Sequence, residues 1–271
     1  MTISSPHNDR LKEIRKLARR RSREQTGRFV AEGEDLLAAA DAAGWPALER
    51  YCAAGSGLDG VEVEAELLAG VSQLGSGTRA LAVYEQRWAD APAGPLCVAL
   101  HGISDPGNVG TILRSALAFG ASSVALGPDC ADPYGSKAVR ASMGAVFAVP
   151  LARIGRVAAE PDEGEGRSGS EGDGSSVGAS SLVASLPGTT VALDAHGGEP
   201  LADAIAALDG LLTLVVGAER AGLPADLVAA CDQIARIPIR SESLNAAMAA
   251  TVALYEVTRG AVAAEHRMPP A

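Results

Sequence analysis

The sequence predicts an α/β protein whose larger part is a parallel, doubly wound sheet. After Pro95, short apolar runs alternate with helical patterns, as in Leu96–Leu100 and Leu211–Val216. Turn-forming residues follow these runs, so each run reads as a buried strand that leads into a helix. A stretch rich in Pro and Gly, Gln86–Pro95, reads as a linker. We therefore expect a small α/β domain over residues 1–90 and a second domain over residues 95–262.

The first element is a basic amphipathic helix, Asn8–Arg23, with Leu11, Ile14 and Leu17 on its apolar side. Residues 1–30 hold nine Lys or Arg and three Asp or Glu, although the whole chain has a net charge of −10. Such a basic segment is compatible with binding phosphates. The alternative, which has equal weight, is that these charges simply form a solvent-exposed helix face. The remaining elements of this part are predicted as a strand and turn at Arg28–Gly33, a helix at Glu34–Ala43, a strand at Leu48–Ala53, a helix at Glu64–Leu74 and a strand at Ala80–Tyr84.

A strand–helix–strand unit opens the second part, with strands at Leu96–Leu100 and Ser123–Leu126. Between them, Asn108 stands where a helix N-cap belongs and Gly120 where a helix ends. Helical spacing places Arg114 outside the apolar face, which consists of Val109, Ile112, Leu113, Ala116 and Leu117. Arg114 is therefore expected to project away from the core.

The next segment changes composition abruptly. After a predicted helix at Val139–Met143 and a strand at Ala145–Leu151, residues 160–181 are dominated by Gly, Ser, Glu and Asp. Such a segment cannot bury enough apolar surface to offset its ordering entropy, so we predict a disordered acidic insertion in a surface loop. The later elements are predicted as a strand at Thr190–Asp194, a helix at Leu201–Leu208, a strand at Leu211–Val216, a helical turn at Asp226–Cys231, a strand at Ile234–Ile239 and a helix at Ser243–Arg259.

Composition excludes several classes of protein. No apolar run approaches the roughly 20 residues of a membrane-spanning helix, and the first residues lack the apolar core of a signal peptide, so we expect a cytoplasmic protein with no membrane partner. The four Cys and four His form no cluster with metal-ligand spacing, and we predict no metal. The glycine-rich phosphate loops and the GxSxG motif of common nucleotide-binding enzymes and hydrolases are also missing.

Polar side chains recur just beyond the predicted strands: Asn108 and Arg114, then Glu219, then Ser243 and Asn245. Strand ends of one parallel sheet converge, so these five side chains could form one site. Each has an ordinary alternative when taken singly. Asn108 and Ser243 could be helix N-caps, and Arg114 and Glu219 could be surface charges. Only their joint occurrence favours a functional site.

Three segments of the sequence resemble the signatures of a known family. They are HGISDPGNVGTILRSALAFGA, VVGAERAGLP and RIPIRSESLNAAMAATVALYE, and they are similar to those of the SpoU (TrmH-type) RNA ribose 2′-O-methyltransferases of the SPOUT class. The resemblance covers about Pro95 to Arg259 outside the acidic insertion. The N-terminal segments NDRLKEIRKL and GRFVAEGEDLL are similar to the small L30e-like substrate-binding domain that many members carry.

The resemblance implies a C-terminal trefoil knot that binds S-adenosylmethionine, and a homodimer formed through the knotted domain. By position, Gly217, Ile237 and Leu244 would contact this methyl donor, and the turn with Asp194, Ala195 and Gly197 would form the first donor-binding loop. The loop between the Ile-Pro pair and the Ser-Leu-Asn segment is shorter here than is usual in the family. The functional polar positions of the family fall on Arg114, Asn108, Glu219, Ser243 and Asn245.

The implied activity is methylation of a ribose 2′-hydroxyl of RNA. The favoured substrate is 23S ribosomal RNA, and transfer RNA is the second substrate class. A guanidinium is always protonated, so we expect Arg114 to pair with a phosphate and to position or polarise the hydroxyl rather than to act as a base. Glu219 and Asn108 would hold Arg114, and Ser243 and Asn245 would support the pocket. A non-catalytic RNA-binding member of the same fold is the alternative, and an ordinary nucleotide-binding enzyme ranks last.

Overall fold

The structure is a computed structural model that describes residues 2–73, 77–155, 178–206, 208 and 210–265. Its strands are β1 Arg28–Glu32, β2 Glu49–Ala53, β3 Val61–Val63, β4 Ala80–Glu85, β5 Leu96–Leu100, β6 Ser123–Leu126, β7 Leu151–Arg153, β8 Thr189–Leu193, β9 Glu199–Pro200, β10 Leu212–Val216 and β11 Gln233–Arg236. Its helices are α1 Asp9–Lys16, α2 Arg20–Thr26, α3 Glu34–Ala42, α4 Ala65–Ala69, α5 Pro106–Ala118, α6 Ser136–Ser142, α7 Ala145–Ala148, α8 Ala179–Ala184, α9 Leu201–Ala206, α10 Ala225–Ala230 and α11 Ala246–Glu265.

The N-terminal strands form a four-stranded sheet in the order β1-β4-β2-β3. Strand β4 pairs antiparallel with β1 and β2, and β3 adds parallel to β2. Strand β3 was not predicted, because three residues are too short a run for a periodicity to appear. The predicted helix Glu64–Leu74 is confined to Ala65–Ala69, since Gly70 ends it.

The predicted continuous helix Asn8–Arg23 is wrong, because the chain breaks between α1 and α2. Asn8 caps α1 as its side chain accepts from the N–H of Arg10 at 3.0 Å. The guanidinium of Arg23 then takes the carbonyl oxygens of Leu17 and Ala18, at 2.8 and 2.9 Å. In a continuous helix those oxygens would accept backbone N–H groups four residues on. Arg23 therefore stabilises the break itself.

The remaining strands form a seven-stranded sheet in the order β7-β6-β5-β10-β8-β11-β9, in which every pair is parallel. This confirms the predicted parallel α/β sheet. From β5 the chain runs outward through β6 and β7, and it then returns to build the other half beyond β10. The order therefore reverses beside β5 and β10, where open sheets of this kind bind ligands at the carboxyl ends of their strands.

Helix α5 follows β5 and carries two of the predicted site residues. Its N-cap is Asp105, whose carboxylate accepts from the N–H groups of Gly107 and Asn108, and Pro106 is its first residue. The predicted N-cap role of Asn108 is therefore wrong, because Asp105 satisfies the free N–H groups three residues earlier. Leu117 is 47% exposed and does not belong to the buried face.

The predicted strand Ala145–Leu151 is also wrong. Ala145–Ala148 form the short helix α7, and β7 begins only at Leu151. The side chains of Ala145, Val146 and Phe147 are all buried, and a short run that is buried on every side has no periodicity to separate strand from helix. Gly144 precedes the turn with a φ of +91°, a left-handed conformation that favours glycine.

The predicted acidic insertion extends too far toward the C-terminus. Residues 160–177 of that segment lie outside the described residues, whereas Ala179–Ser181 already belong to helix α8. The final helix begins at Ala246 rather than at Ser243, and β9 was not predicted. In the described part of the chain, no helix is long and apolar enough to cross a membrane.

An aromatic cluster joins the small sheet to the large one. Phe29 and Tyr84 from β1 and β4 contact Phe147, with ring centroids 5.9 and 5.1 Å apart, and Phe29 also lies 4.7 Å from Tyr134. These aromatic rings belong to one continuous core with the buried side chains of the large sheet. The two sheets therefore share a core, and one packs on the other through large apolar side chains.

A buried ion pair lies at the edge of the same interface. The Arg23 guanidinium lies 2.7 Å from the Asp132 carboxylate, and the two side chains are only 6% and 9% exposed. Removing one partner of a buried pair leaves the other charge without compensation. The pair therefore fixes helix α2 against the loop after β6.

We expect Arg23→Met to lower the free energy of unfolding by about 3–5 kcal/mol, because Asp132 loses its partner inside the protein. Urea unfolding followed by circular dichroism measures the change. Arg21→Met, an exposed arginine of the same helix, is the matched control and should change stability by less than about 0.5 kcal/mol. Asp132→Leu added to Arg23→Met should recover the part of the loss that is due to the unpaired Asp132 charge, and not the part that is due to the Leu17 and Ala18 carbonyls. Equal stability of the Arg23 and Arg21 variants would contradict this assignment.

Candidate active site

Three of the predicted site residues meet in one hydrogen-bonded triangle, which we call the polar triangle: Asn108, Glu219 and Asn245. The Asn108 amide donates to Glu219 Oε1. The Asn245 amide donates to Asn108 Oδ1 at 3.1 Å and to Glu219 Oε1 at 2.9 Å. The three residues come from helix α5, from the loop after β10 and from the start of α11. The structure thus joins three distant segments of the chain through side-chain amides and one carboxylate.

Asn245 has a second role, because it caps helix α11. Its Oδ1 accepts from the backbone N–H groups of Ala247 and Met248, at 3.0 and 3.2 Å. Since the oxygen faces the helix, the NH₂ group of the same amide must face Asn108 and Glu219. The predicted cap role of Ser243 is therefore wrong. Ser243 accepts through its carbonyl from the Ser241 hydroxyl at 3.3 Å.

Arg114 lies on the exposed side of α5, as its helical position predicts. It is six residues after Asn108, about 9 Å along the helix axis. In the described part of the chain it makes no hydrogen bond or ion pair, and Glu219 and Asn108 bind each other and Asn245 instead. The expectation that Glu219 and Asn108 hold Arg114 is therefore not met in this structure. The guanidinium is open to a ligand.

A cleft opens beside the polar triangle at the carboxyl ends of β8, β10 and β11. It encloses about 590 Å³, including its open mouth. Five of the six predicted donor-binding residues line it, together with Glu219 and Ser243: Asp194, Ala195, Gly217, Ile237 and Leu244. Ile239 also lines it, so the short loop after β11 still forms a wall of the cleft.

Gly197, the sixth predicted residue, is not part of the lining. A Cβ at Gly197 would lie 2.8 Å from Asp194 Oδ2, so a side chain there would displace the Asp194 carboxylate from its present position. The other oxygen of that carboxylate accepts from the N–H of His196 at 3.0 Å. Gly197 therefore shapes the turn that carries Asp194 and Ala195 and does not itself form the wall.

Gly217 marks a close approach of two backbone segments in the cleft. A Cβ on Gly217 would lie 2.4 Å from the carbonyl carbon of Gly222 and 2.6 Å from the nitrogen of Leu223. Any larger residue would push apart the turn from 218 to 222, which closes through an N–H to O bond of 2.9 Å from Gly222 to Ala218. The glycine lets this turn fold back over the end of β10.

The lining suits a ligand with an apolar flat part and a positive charge. Ile237, Ile239 and Leu244 supply the apolar walls, and the carboxylates of Asp194 and Glu219 lie at the same cleft. A phosphate would be repelled by these carboxylates. In the described part of the chain, no group of three or more His, Cys, Asp and Glu side chains could hold a metal ion.

Asp105 belongs to this site although we did not single it out from the sequence. It accepts from the Lys137 ammonium at 3.0 Å and from the N–H groups that begin α5. The Lys137 ammonium first, and then these N–H groups, hold the pKa of the Asp105 carboxyl below its usual value. The cap thus stays ionised and sets the start of the helix that presents Asn108. The signal was the Asp105–Pro106 pair, since Pro favours the first helical position after an N-cap.

Comparison with known families matches this chain in two parts. Residues 95–164 and 179–255 match the model of the SpoU rRNA Methylase family. The chain belongs to the SpoU rRNA methylase family. Residues 8–82 match a second model, the MRM3-like substrate binding domain. The family match covers β5, α5 and the whole polar triangle, and it confirms the resemblance on which the site residues were predicted.

Relatives and solved structures agree with that assignment. A 23S rRNA (uridine-2′-O)-methyltransferase of Streptomyces viridochromogenes is 35% identical over 158 residues, which are 58% of this chain and 50% of that protein. The chain spans about half the length of the curated relatives it matches. The AdoMet-bound rRNA methyltransferase of Sinorhizobium meliloti superposes with a TM-score of 0.74 at 27% identity, over 99% of both chains. The SpoU methyltransferase AviRb of Streptomyces viridochromogenes, in complex with AdoMet, gives 0.75 at 27%, over 94% of this chain and 99% of that one. The fold is therefore that of SpoU methyltransferases.

We expect Asn245→Ala to lower the free energy of unfolding by about 2 kcal/mol, because it removes a helix cap and two side-chain hydrogen bonds. Asn8→Ala, which removes only a cap, is the control and should cost about 1 kcal/mol. Asn245→Ser should recover the part that is due to the cap. Chemical denaturation of the three variants measures these differences. An Asn245→Ala loss no larger than that of Asn8→Ala would show that the triangle contributes nothing.

Proposed function

We propose that this protein transfers a methyl group from S-adenosylmethionine to a ribose 2′-hydroxyl of RNA, with ribosomal RNA as the substrate. The observation that carries the proposal is the polar triangle beside the cleft, with Arg114, which has no partner among the described residues, further along helix α5. A relative with 35% identity is named as a 23S rRNA 2′-O-methyltransferase, which favours ribosomal RNA. Transfer RNA is the second candidate.

The residues of the cleft fit the methyl donor. Asp194 and Glu219 match its positive charge, and Ile237 and Leu244 provide apolar contact for its adenine. The missing Cβ at Gly217 allows the backbone to approach closely. When bound, S-adenosylmethionine supplies a methyl group on a positively charged sulfur. Two AdoMet-bound structures with the same fold support this assignment.

Arg114 would act on the RNA side of the reaction. Its guanidinium remains protonated, so it is suited to pair with a phosphate and to stabilise the negative charge that develops on the 2′-oxygen. It is a poor acceptor for the hydroxyl proton. Within the polar triangle, both amides donate to the Glu219 carboxylate and hold the turn that borders the cleft. Arg114 thus carries the direct chemical role, and Asn108, Glu219 and Asn245 are positioning residues.

The remaining parts of the chain have roles that follow from this proposal. Residues 1–90 would form the substrate-binding domain, since residues 8–82 match such a domain, and residues 95–262 the methyltransferase domain. A trefoil knot in the C-terminal part and a cytoplasmic location belong to the same proposal, by analogy with the family. A non-catalytic RNA-binding role is disfavoured because the triangle and Arg114 are both present.

We expect Arg114→Ala to lower the rate of methyl transfer by at least about 100-fold while the affinity for S-adenosylmethionine stays unchanged, because Arg114 is not part of the cleft lining. The assay follows labelled methyl into unmodified ribosomal RNA and transfer RNA, and digestion to nucleosides identifies the 2′-O-methyl product. Arg114→Lys should recover little activity, since an ammonium lacks the planar fork of donors. Methyl transfer by Arg114→Ala at the wild-type rate would refute the role of Arg114. Label on a base would refute the proposed reaction.

We also propose that two copies pair through an apolar stripe on helix α11. Met248, Val252 and Tyr255 are 62%, 41% and 55% exposed and share one helix face by their spacing, and Leu117 of α5 lies 47% exposed. The Tyr255 ring packs edge-on against Phe119, with centroids 6.1 Å apart, so α5 and α11 form one surface. An apolar helix face of this kind is suited to a two-fold interface, in which the same patch meets itself.

We expect Tyr255→Glu to convert a dimer to a monomer, because the interface would have to bury a charge. Sedimentation velocity at micromolar concentration gives the mass. The control is Leu48→Glu, since Leu48 is 46% exposed on the small-sheet part of the chain, and it should leave the dimer intact. A monomeric wild-type protein, or a dimeric Tyr255→Glu variant, would contradict the proposed interface.

A further inference from the structure

A second cleft lies at the carboxyl ends of β6 and β7, away from the cleft beside the polar triangle. It encloses about 750 Å³, including its open mouth, and is lined by Trp88, Arg153, Asp129 and Arg20, among others. The Arg153 guanidinium lies over the Trp88 ring, 3.9 Å from its centroid. The Trp88 ring is itself held by edge-on packing against Tyr134, with centroids 5.2 Å apart, and by donation from its indole N–H to Gln86 at 3.3 Å. Arg153 is thus stacked on a fixed aromatic ring.

This cleft is tied to the candidate active site through its floor. The N–H of Gly127 donates to the carbonyl of Leu100 at 2.8 Å, and the N–H of Gly102 donates to the carbonyl of Pro128 at 3.0 Å. The loop after β6 is therefore hydrogen-bonded to the loop after β5, which leads into Asp105 and Asn108. Neighbouring strands are about 4.8 Å apart, so the end of β7 lies about 10 Å to the side of the end of β5. A polynucleotide at the active site would pass near this cleft.

The charged side chains around the cleft differ in whether they have an ionic partner. Arg20 lies at the mouth and pairs with Glu24 at 3.0 Å. Arg19 and Arg21 flank it, exposed and without a carboxylate partner in the described chain. Asp132 is neutralised by Arg23, whereas Asp129 is exposed, makes no ion pair among the described residues and is held at a φ of +59°. A phosphate is favoured at the mouth, and a group that donates hydrogen bonds is favoured beside Asp129.

We propose that this cleft binds a nucleobase of single-stranded RNA next to the methylated nucleotide. The base stacks on the Arg153 guanidinium, which lies over the Trp88 ring, its exocyclic amino group donates to Asp129, and the flanking phosphates lie on Arg19 and Arg21. Proteins recognise unpaired RNA bases in this way, by stacking on aromatic rings or on arginine planes and by hydrogen bonds to the base edge. The inference rests on the proposed function, because it needs RNA as the substrate.

The test is the affinity of the full-length protein for fluorescein-labelled oligocytidylate and oligouridylate of 12 nucleotides, measured by anisotropy. Arg153→Lys keeps the charge and removes the planar surface, so oligocytidylate should bind about ten- to a hundredfold more weakly. The matched control is Arg87→Lys, because Arg87 stacks in the same manner on Trp45, 4.5 Å from its ring centroid and outside the cleft. This control should bind like the wild type. Thermal unfolding of each variant establishes that it is folded.

Asp129→Asn supplies a second arm. The variant keeps an acceptor oxygen but removes the negative charge, so the hydrogen bond from the cytosine amino group loses its charge assistance and oligocytidylate should bind several-fold more weakly. Uracil lacks an exocyclic amino group, so oligouridylate should bind at least as well as before. Wild-type affinity of Arg153→Lys for oligocytidylate, or an equal effect of Asp129→Asn on the two oligonucleotides, would overturn the proposal.

Methyl transfer to ribosomal RNA, measured on the same preparations, separates the two proposals. Transfer by the wild type with no effect of Arg153→Lys on RNA affinity refutes the second cleft and leaves the proposed function intact. Arg153-dependent RNA binding without methyl transfer by the wild type refutes the proposed function and supports the cleft as an RNA site.

Discussion

The candidate active site depends on one amide side chain, that of Asn245. Its oxygen is committed to the first N–H groups of α11, so its nitrogen faces Glu219 and Asn108. Helix α11 must therefore be correctly packed at the sheet edge before Asn245 can bind both Glu219, in the loop after β10, and Asn108, on α5. The hydroxyl pair Ser115–Thr251, with oxygens 2.6 Å apart, fixes the same two helices about two turns further on. Because helix packing places Asn108 and Asn245, two of the three members of the polar triangle are held by rigid elements.

The small sheet is attached to this frame by a core and not by a flexible tether. Five of the aromatic side chains of a chain that is only 3% aromatic meet between the two sheets: Phe29, Trp45, Tyr84, Tyr134 and Phe147. The buried Arg23–Asp132 pair closes one side of this contact. As a result, the basic residues of α2 stand at a fixed place beside the sheet edge. An acidic protein can in this way carry a local positive surface, in spite of its net charge of −10.

Predictions from the sequence were accurate where a segment is long or is bounded by turn-forming residues. Strands β5 and β6 have the predicted bounds, and β10 differs by one residue, because each is an apolar run between turn residues. Predictions were wrong where a short apolar run is buried on all sides, as at Ala145–Leu151. They were also wrong where a side chain from outside the element decides, as at the break that Arg23 stabilises between α1 and α2. Neither kind of information is present in a local pattern.

The sequence by itself determined the fold class, the parallel sheet and the identity of the residues at its strand ends. These depend on local periodicity, on turn chemistry and on three motifs that the family shares. Only the tertiary structure decided which of these residues touch. Asn108 and Asn245 are 137 residues apart, and Arg153 contacts Trp88 although β5, α5, β6, α6 and α7 lie between them in the chain. Such contacts depend on strand order and helix packing, which bring distant segments together by burial of apolar surface, and no local pattern encodes that distance.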